Sequence, residues 1–311
     1  AVELIADICF NSIFPEKEII KERDVIIDEI NSYMDSPGEQ IFDDFEELLF
    51  DGHPIGRNIL GTVESVAQFG REDIFELIGR RYRTDQMVFS SVGKTSVKKL
   101  RRICEKYLGQ VSSSITEEKR VPFSGYIPTH KEVRRETFQV HYVLGSPGYS
   151  SGDPKKTGLV LLNNYLGGPA MNSRLNLHIR EKHGIAYNIE SNYHSYSDTG
   201  VFQLYLGTDP KFFGKSMKLV QQELRKLREN KLGVTQLHMA KEQLKGQIAL
   251  AQDSGAGTMM ALGKSYLLYE RVDSLEEVFQ KIDSLTSEDL IEIANEILAP
   301  EYMSSLTYIN R

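Results

Sequence analysis

The sequence predicts an α+β protein made of two homologous domains, each a mainly antiparallel sheet flanked by helices, with the first domain incomplete. Three observations support this fold class. Amphipathic helical patterns alternate with short β-rich segments, a polar stretch divides the chain, and a segment of the first part recurs in the second. The chain has 311 residues, which is enough for two domains with separate hydrophobic cores.

The first part of the chain has mostly helical patterns. Apolar residues recur at helical spacing in residues 2–9, 15–34, 42–50, 71–82 and 94–109. A loop rich in Gly and Pro, GHPIGRNILGTVESV, leads into a short helix. The segment QMVFSSVG, residues 86–93, is predicted to be a strand.

A polar stretch without sustained periodicity separates the two parts. It is VSSSITEEKRVPFSGYIPTHKEVRR, and it contains two prolines. Such composition is typical of a linker. We therefore place the first domain at residues 1–112, the linker at 113–135 and the second domain at 136–311.

The second part mixes strands with helices. It opens with a predicted strand, TFQVHYVLGSPG, followed by the helices TGLVLLNNYLGG and MNSRLNLHIREKHG, the latter ended by Gly184 as a C′ glycine. AYNIESNYH and VFQLYLGT are predicted to form a β-hairpin. From Phe212 onward helices dominate, with capping signals at Ser274 and Thr286, and SSLTYI is the last predicted strand.

An internal repeat links the two parts. Residues 71–93 align with residues 287–309 without a gap, and the apolar positions fall in register. Chance similarity between two amphipathic helices is the alternative explanation, but the order helix, loop, strand occurs in both copies. The strands and helix that precede the repeat in the second part have no counterpart in the first. The first domain is thus expected to lack its opening hairpins and a helix, so the chain is expected to be N-terminally truncated.

Composition and charge narrow the classes of partner. The net charge of −7 and the pI near 5.6 argue against a nucleic-acid-binding protein. No apolar run approaches the length of a membrane span, so neither a nucleic acid nor a membrane is an expected partner. The two cysteines, Cys9 and Cys104, lack C-x-x-C spacing and are expected to be reduced thiols. The expected location is the cytoplasm.

Two carboxylates in the second predicted helix are candidate functional residues. Glu22 and Glu29 are seven residues apart, which places them about 20° apart around an α-helix. On that helix they border an apolar stripe of Ile19, Ile26 and Ile30. A carboxylate in such a place is costly to desolvate unless it is paired, hydrogen-bonded or bound to a metal. They are either rim carboxylates in salt bridges or parts of a functional site.

The repeat bears on that choice. Allowing a shift of two residues, the positions of Glu22 and Glu29 correspond to Ala240 and Gln247 in the second copy. Because these residues are not acids, the fold itself does not require carboxylates there.

Several motifs resemble those of the pitrilysin-like metallopeptidases, the family of insulin-degrading enzyme and the mitochondrial processing peptidase. In the first part they are ERDVIIDE, then HPIGRNILG, then Y-x-x-x-x-M-V. In the second part the motif is LGGPAMNSRLNLHIREKHGIAY, residues 166–187. The resemblance covers essentially the whole chain and indicates a short member of the bacterial type.

The resemblance implies roles for four residues. Family members bind Zn²⁺ through an inverted H-x-x-E-H helix and a later glutamate, which matches Glu29, with a supporting acid that matches Glu22. The pair that holds the substrate and polarises its scissile carbonyl matches Arg180 and Tyr187. Without the resemblance, Arg180 could simply interact with a helix dipole and Tyr187 could start a strand and pack.

The sequence departs from the family at the metal helix. It contains no H-x-x-E-H. His178 and His183 are five residues apart, about 140° around an α-helix, and are not expected to share a metal. The remaining histidines lack ligand spacing: His53, His130, His141, His194 and His238. The metal helix is expected upstream of residue 1, so this chain by itself is not expected to hydrolyse peptides.

The function that follows is that of a zinc metalloendopeptidase that, in its full-length form, cleaves peptides or unfolded segments. The resemblance also implies a homodimer, or a heterodimer with a related subunit. Two alternatives stay open. One is a non-catalytic partner or scaffold subunit of the same family, and the other is a generic α+β protein with no catalytic history.

Overall fold

A computed structural model of the protein describes residues 1–115 and 120–310. It shows a mixed fold of twelve α-helices and a five-stranded, mainly antiparallel sheet in these ranges, so the predicted fold class is confirmed. All five strands lie in residues 130–310, so the described residues do not form the separate sheet expected for the first domain. Residues 116–119 of the predicted linker lie outside the described ranges. None of the described helices is both long and apolar enough to span a membrane.

The chain forms two compact units. The first unit contains Ala1–Asn31, Leu60–Arg120 and Ala251–Val272, and the second contains Ser32–Ile59, Val121–Leu250 and Asp273–Arg311. The domain limits at residues 112 and 136 stay a prediction.

The first unit contains helices and irregular segments but no strand in its described residues. Its helices are α1 (Val2–Phe10), most of α2 (Glu16–Met34), α4 (Val63–Gln68), α5 (Arg71–Arg81), α6 (Val97–Leu108) and α10 (Gly255–Tyr269). Phe14 has a positive φ of 42° in the turn before α2. Arg71 from α5 fixes that turn, because its Nε donates to the carbonyls of Ile13 and Phe14 at 3.1 Å.

The predicted strand at residues 86–93 does not form. Residues 87–93 are irregular, and the described part of the first unit contains no strand with which they could pair. A strand is stabilised by hydrogen bonds to a neighbouring strand, so β-rich composition alone is insufficient.

The second unit contains the sheet. Its strands are β1 (His130–Arg135), β2 (Val140–Gly148), β3 (Asn188–Ser195), β4 (Gly200–Thr208) and β5 (Ser304–Asn310). Their order is β1-β5-β2-β4-β3, and the pair β1–β5 is parallel while the others are antiparallel. The hairpin of β3 and β4 and the last strand are confirmed. β1 lies at the end of the segment predicted as linker.

Helices cover both faces of this sheet. The helices of this unit are α3 (Pro37–Leu49), α7 (Lys156–Gly167), α8 (Pro210–Glu229), all of α9 (Val234–Ala251) except its last residue, α11 (Leu275–Ser284) and α12 (Ser287–Ile297). Alternate residues of the central strand β2 belong to two hydrophobic cores, one on each face of the sheet. Tyr142 and Leu144 pack with α7, α8 and α12, while Val143 packs with α3. The sheet is thus the middle of three layers, which explains why β2 and β4 are buried on both faces.

Candidate functional site

The helix α2 carries the two candidate carboxylates of the first unit. Its apolar stripe has the predicted position, with Ile30 buried and Ile19 and Ile26 half-buried. Arg23 anchors the helix, because its Nη2 donates to the carbonyl of Phe69 at 2.6 Å. The backbone next to Glu22 is therefore held in place.

Glu22 and Glu29 themselves are exposed. Among the described residues neither carboxylate has a hydrogen bond or an ion pair, so the expectation of salt-bridged rim residues is not met. Their exposure also removes the desolvation argument that favoured a partner. Both carboxylates are free to accept a ligand that lies outside the described residues.

The described residues do not form a zinc site by themselves. Zinc in catalytic sites takes three protein ligands, usually with histidine among them. Residues 1–115 and 120–310 contain no group of three or more His, Cys, Asp or Glu side chains with suitable geometry. Glu29 would provide one carboxylate ligand at most.

A π-helix carries Arg180 in the second unit. The segment predicted as an α-helix contains a π-helical turn over Asn176–Glu181, in which the amide of Lys182 donates to the carbonyl of Leu177 at 3.0 Å. The turn ends at Gly184 as predicted. Gly184 has a φ of 61°, and its amide donates to the carbonyl of Arg180 at 2.9 Å.

Tyr187 lies immediately before β3, the first strand of the hairpin. Its backbone amide donates to the carbonyl of Gly207 at 2.9 Å, while its side chain is 61% exposed. Ile185 and Ala186, immediately before it, are buried in the core. The backbone at Tyr187 is thus fixed by packing, and the phenol projects outward.

Arg180 is likewise exposed. Neither its guanidinium nor the hydroxyl of Tyr187 has a hydrogen-bond or ionic partner within the part of the chain that the structure describes. The second unit therefore presents one cation and one hydroxyl donor on ordered backbone, both available to a ligand.

A buried carboxylate lies beneath the π-helix. Glu223 of α8 has a side chain only 4% exposed, and it contacts three basic side chains. Its Oε2 accepts from Nε of Arg174 at 2.8 Å and also from Nη2. Its Oε1 lies 2.8 Å from Nδ1 of His178 and 2.7 Å from Nζ of Lys226. Glu223 therefore ties α8 to the helix that carries Arg180.

The environment of Glu223 keeps it charged. Burial by itself would raise the pKa of this carboxyl. Hydrogen bonds from Lys226, His178 and Arg174 outweigh burial and lower the pKa below its ordinary value.

The sequence analysis does not identify Glu223 as a candidate residue, although the pattern of α8 indicates that this side chain is buried. The buried positions of α8 include Ser216, Val220, Leu224 and Leu227, which recur at helical spacing. Glu223 lies in that same stripe. An acid on the buried stripe of an amphipathic helix is a better indicator of a constrained carboxylate than Glu22 and Glu29 at the border of one.

Comparison with known proteins identifies the family. The sequence profile of the peptidase M16 inactive domain matches residues 68–244, more than half of the chain. An uncharacterized zinc protease of Bacillus subtilis, YmxG, is 30% identical over 308 residues, covering 98% of this chain and 74% of that protein. The chain belongs to the M16 peptidase family. The pitrilysin-like resemblance is thereby confirmed.

Other relatives of this M16 chain have similar names. An uncharacterized zinc protease of Rickettsia felis is 30% identical over 301 residues, covering 96% of the chain and 72% of the relative. Among solved structures, the crystal structure of a peptidase M16 inactive domain from Pseudomonas fluorescens has a TM-score of 0.89 at 19% identity, covering 100% of this chain and 74% of that one. At that identity, the structural likeness shows the fold alone.

A third likeness comes from a different kind of protein. A chain of Complex III2 from Candida albicans has a TM-score of 0.84 at 18% identity, covering 99% of this M16 chain and 76% of that chain. This too shows only that the same fold occurs there.

The structure changes the angle predicted between His178 and His183 in the M16 chain. The angle of about 140° between His178 and His183 assumed a straight α-helix, whereas the segment contains a π-helical turn. The structure gives His178 a different role, since its Nδ1 contacts Glu223 at 2.8 Å. His183 is exposed.

Proposed function

We propose that the full-length protein is a zinc metalloendopeptidase that cleaves peptides or unfolded segments. The observation that carries the proposal is the presentation of Arg180 and Tyr187. Both side chains are exposed and unpaired among the described residues, although the backbone on either side of them is hydrogen-bonded or buried. Unpaired polar side chains on a rigid backbone are typical of a binding site rather than of a stabilising contact.

The chemistry of the two side chains suits an acyl-transfer transition state. In the proposed role, the guanidinium of Arg180 binds a carbonyl of the substrate, and the hydroxyl of Tyr187 donates to the oxygen on which negative charge develops. Donors placed in advance at such an oxygen stabilise the transition state more than the ground state.

The substrate is proposed to bind as an added strand. β3 is at the end of the strand order, begins one residue after Tyr187 and pairs only with β4 in the described part of the chain. A peptide on an exposed edge gains affinity from main-chain hydrogen bonds, so its sequence is only loosely selected.

Glu29 and Glu22 are proposed to serve the metal half of the site. Glu29 would supply one zinc ligand and Glu22 would orient it, together with ligands that lie outside the described residues. Their exposure and lack of partners support this proposal, as do the names of the relatives, which are zinc proteases. We propose a dimer, with a second copy or a related subunit, in the cytoplasm.

The test is a comparison of variants of the full-length protein. Arg180→Ala and Tyr187→Phe are each expected to lower kcat for a quenched fluorescent peptide by about 10²–10³-fold, the usual loss for one oxyanion donor. His183→Ala, an exposed neighbour, is the matched control. About one bound zinc per subunit, lost in Glu29→Gln, is expected by metal analysis. Full peptidase activity of Arg180→Ala and Tyr187→Phe would reject the proposal.

One observation favours a second candidate, a non-catalytic partner or scaffold subunit. The family profile that matches the chain is that of an inactive domain. A full-length protein without zinc or peptidase activity, alone or mixed with a catalytic M16 subunit, would favour the scaffold role.

A further inference from the structure

We infer that Glu223 is a positioning residue, which holds the π-helical turn through Arg174 and His178 and thereby sets the direction of Arg180. The inference rests on the proposed function, in which Arg180 contacts the substrate. It concerns a buried residue of α8 that itself touches no substrate.

A π-helical turn needs a specific reason to persist. The π-helix is rare and occurs mostly as single turns inside α-helices, frequently at functional sites. In an α-helix the amide of Lys182 would donate to the carbonyl of His178, whereas here it donates to that of Leu177. A change between these two patterns rotates the residues of the turn about the helix axis. The direction of Arg180 therefore depends on which pattern is held.

The two oxygens of Glu223 hold the π-helix at two points. Oε2 binds the guanidinium of Arg174, which lies two residues before the first residue of the π-helix. Oε1 binds Nδ1 of His178, inside the π-helix and two residues before Arg180. One rigid carboxylate thus fixes the separation between a point before the turn and a point within it.

The third contact of Glu223 provides the control. Lys226 also donates to Oε1, at 2.7 Å, but it belongs to α8, the same helix as Glu223. Lys226 is thus a basic partner of Glu223 that does not contact the π-helix. Replacing Lys226 changes the charge around Glu223 only, whereas replacing His178 removes a contact between Glu223 and the π-helical turn.

The experiment uses three variants of the full-length protein: His178→Ala, His178→Asn and Lys226→Gln. The side chain of His178 is 40% exposed, so its loss should leave the fold intact, which Glu223→Ala would not guarantee. A crystal structure of each variant shows which carbonyl accepts from the amide of Lys182, and peptide hydrolysis reports kcat and KM.

We expect that in His178→Ala the amide of Lys182 no longer donates to Leu177, and that kcat falls about tenfold with KM within a factor of two. His178→Asn should restore the hydrogen bond and kcat, because its Nδ2 occupies the place of Nδ1 in histidine. Lys226→Gln should keep the hydrogen bond and leave kcat within a factor of two.

A hydrogen bond from Lys182 to Leu177 that persists in His178→Ala would overturn the inference. It would also be overturned if that hydrogen bond were lost without a fall in kcat, while Arg180→Ala abolished hydrolysis. If Arg180→Ala itself left hydrolysis unchanged, the proposed function would fail, and the hydrogen bond of Lys182 alone would decide whether Glu223 holds the turn.

Discussion

Residues 71–93 and 287–309 align in sequence, and they fold alike except in their last seven residues. Each copy begins with an eleven-residue helix, α5 or α12, and continues into a 3₁₀ turn, Thr84–Gln86 or Pro300–Tyr302. Residues 304–310 then form β5, whereas residues 87–93 form no strand. The difference shows which elements form from their own sequence and which need hydrogen bonds to another part of the chain.

The two helices differ in burial. α12 buries Leu290, Ile293 and Ala294 against the sheet and its other helices, while α5 has no buried residue. Helix and turn are defined by hydrogen bonds within the segment, so they form in both settings. A strand requires hydrogen bonds to another strand, which only the second copy has.

The segment 87–93 is instead held by a side chain. Ser90 Oγ donates to the carbonyl of Met259 in α10 at 2.9 Å. Met87 and Phe89 line an open pocket there with Tyr266 and Val272. None of the predicted site residues lies in this pocket.

The free energy of unfolding should differ most between the two copies when the methionine that both contain is removed. Met303 is 1% exposed and Met87 is 36% exposed, at equivalent positions. Met303→Ala should lower the free energy of unfolding by about 2–5 kcal/mol because it leaves a cavity, and Met87→Ala by about 0.5 kcal/mol. Urea unfolding of both variants measures the contrast. Equal losses would mean that the first copy is packed as tightly as the second.

A smaller loss of stability is expected on removal of the hydrogen bond that Ser90 of the first copy makes to α10. Ser90→Ala should destabilise the contact of residues 87–93 with α10 by about 1 kcal/mol and speed hydrogen exchange locally. The neighbouring exposed Ser91→Ala is the control. No change in exchange at residues 87–93 would show that apolar contacts alone hold the segment.

Low pH should reduce the stability contributed by α12 more than that contributed by α5. Hydrogen bonds from Lys155 and Tyr149 lower the pKa of Glu296 in α12 below its ordinary 4.5. A lowered carboxyl pKa contributes stability above the unfolded value, and that stability is lost as pH falls through the folded value. Since the side chain is 42% exposed, the contribution is at most about 1 kcal/mol.

Glu296→Gln should therefore flatten the fall of unfolding free energy between about pH 5 and pH 3. Glu76→Gln in α5, an exposed acid without a partner among the described residues, should not. Identical pH profiles for the Glu296 variant and the unaltered protein would contradict the assignment.

The smallest effect concerns the start of the two helices. Thr286 caps α12 through its hydroxyl, which accepts from the amide of Asp289 at 3.1 Å, whereas Gly70 precedes α5 with a similar extended backbone. Gly70→Thr should install that cap and raise the free energy of unfolding by about a few tenths of a kcal/mol. Thermal unfolding measures it, and a lowered midpoint would show that a side chain at residue 70 is not tolerated.

Local features were predictable where the interaction lies within a short segment. The capping boxes at Ser274 and Thr286, the C′ glycine Gly184 and the β3–β4 hairpin all occur as predicted. The apolar stripe of α2 is also as predicted, but Glu22 and Glu29 beside it are exposed rather than paired. The positions of Glu22 and Glu29 around the axis of α2 follow from helix geometry, whereas the residues that surround them depend on the tertiary fold.

The amino-acid sequence was sufficient to predict the family, the helices with their caps, and the four candidate residues Glu22, Glu29, Arg180 and Tyr187. The family assignment is confirmed, and the roles of the four residues stay proposals. Contacts between distant parts of the chain account for three further features: residues 87–93 form no strand, β1 joins the sheet, and Glu223 contacts Arg174 and His178. In each case the deciding partner is distant in the chain, and periodicity and local propensity describe only neighbours in sequence.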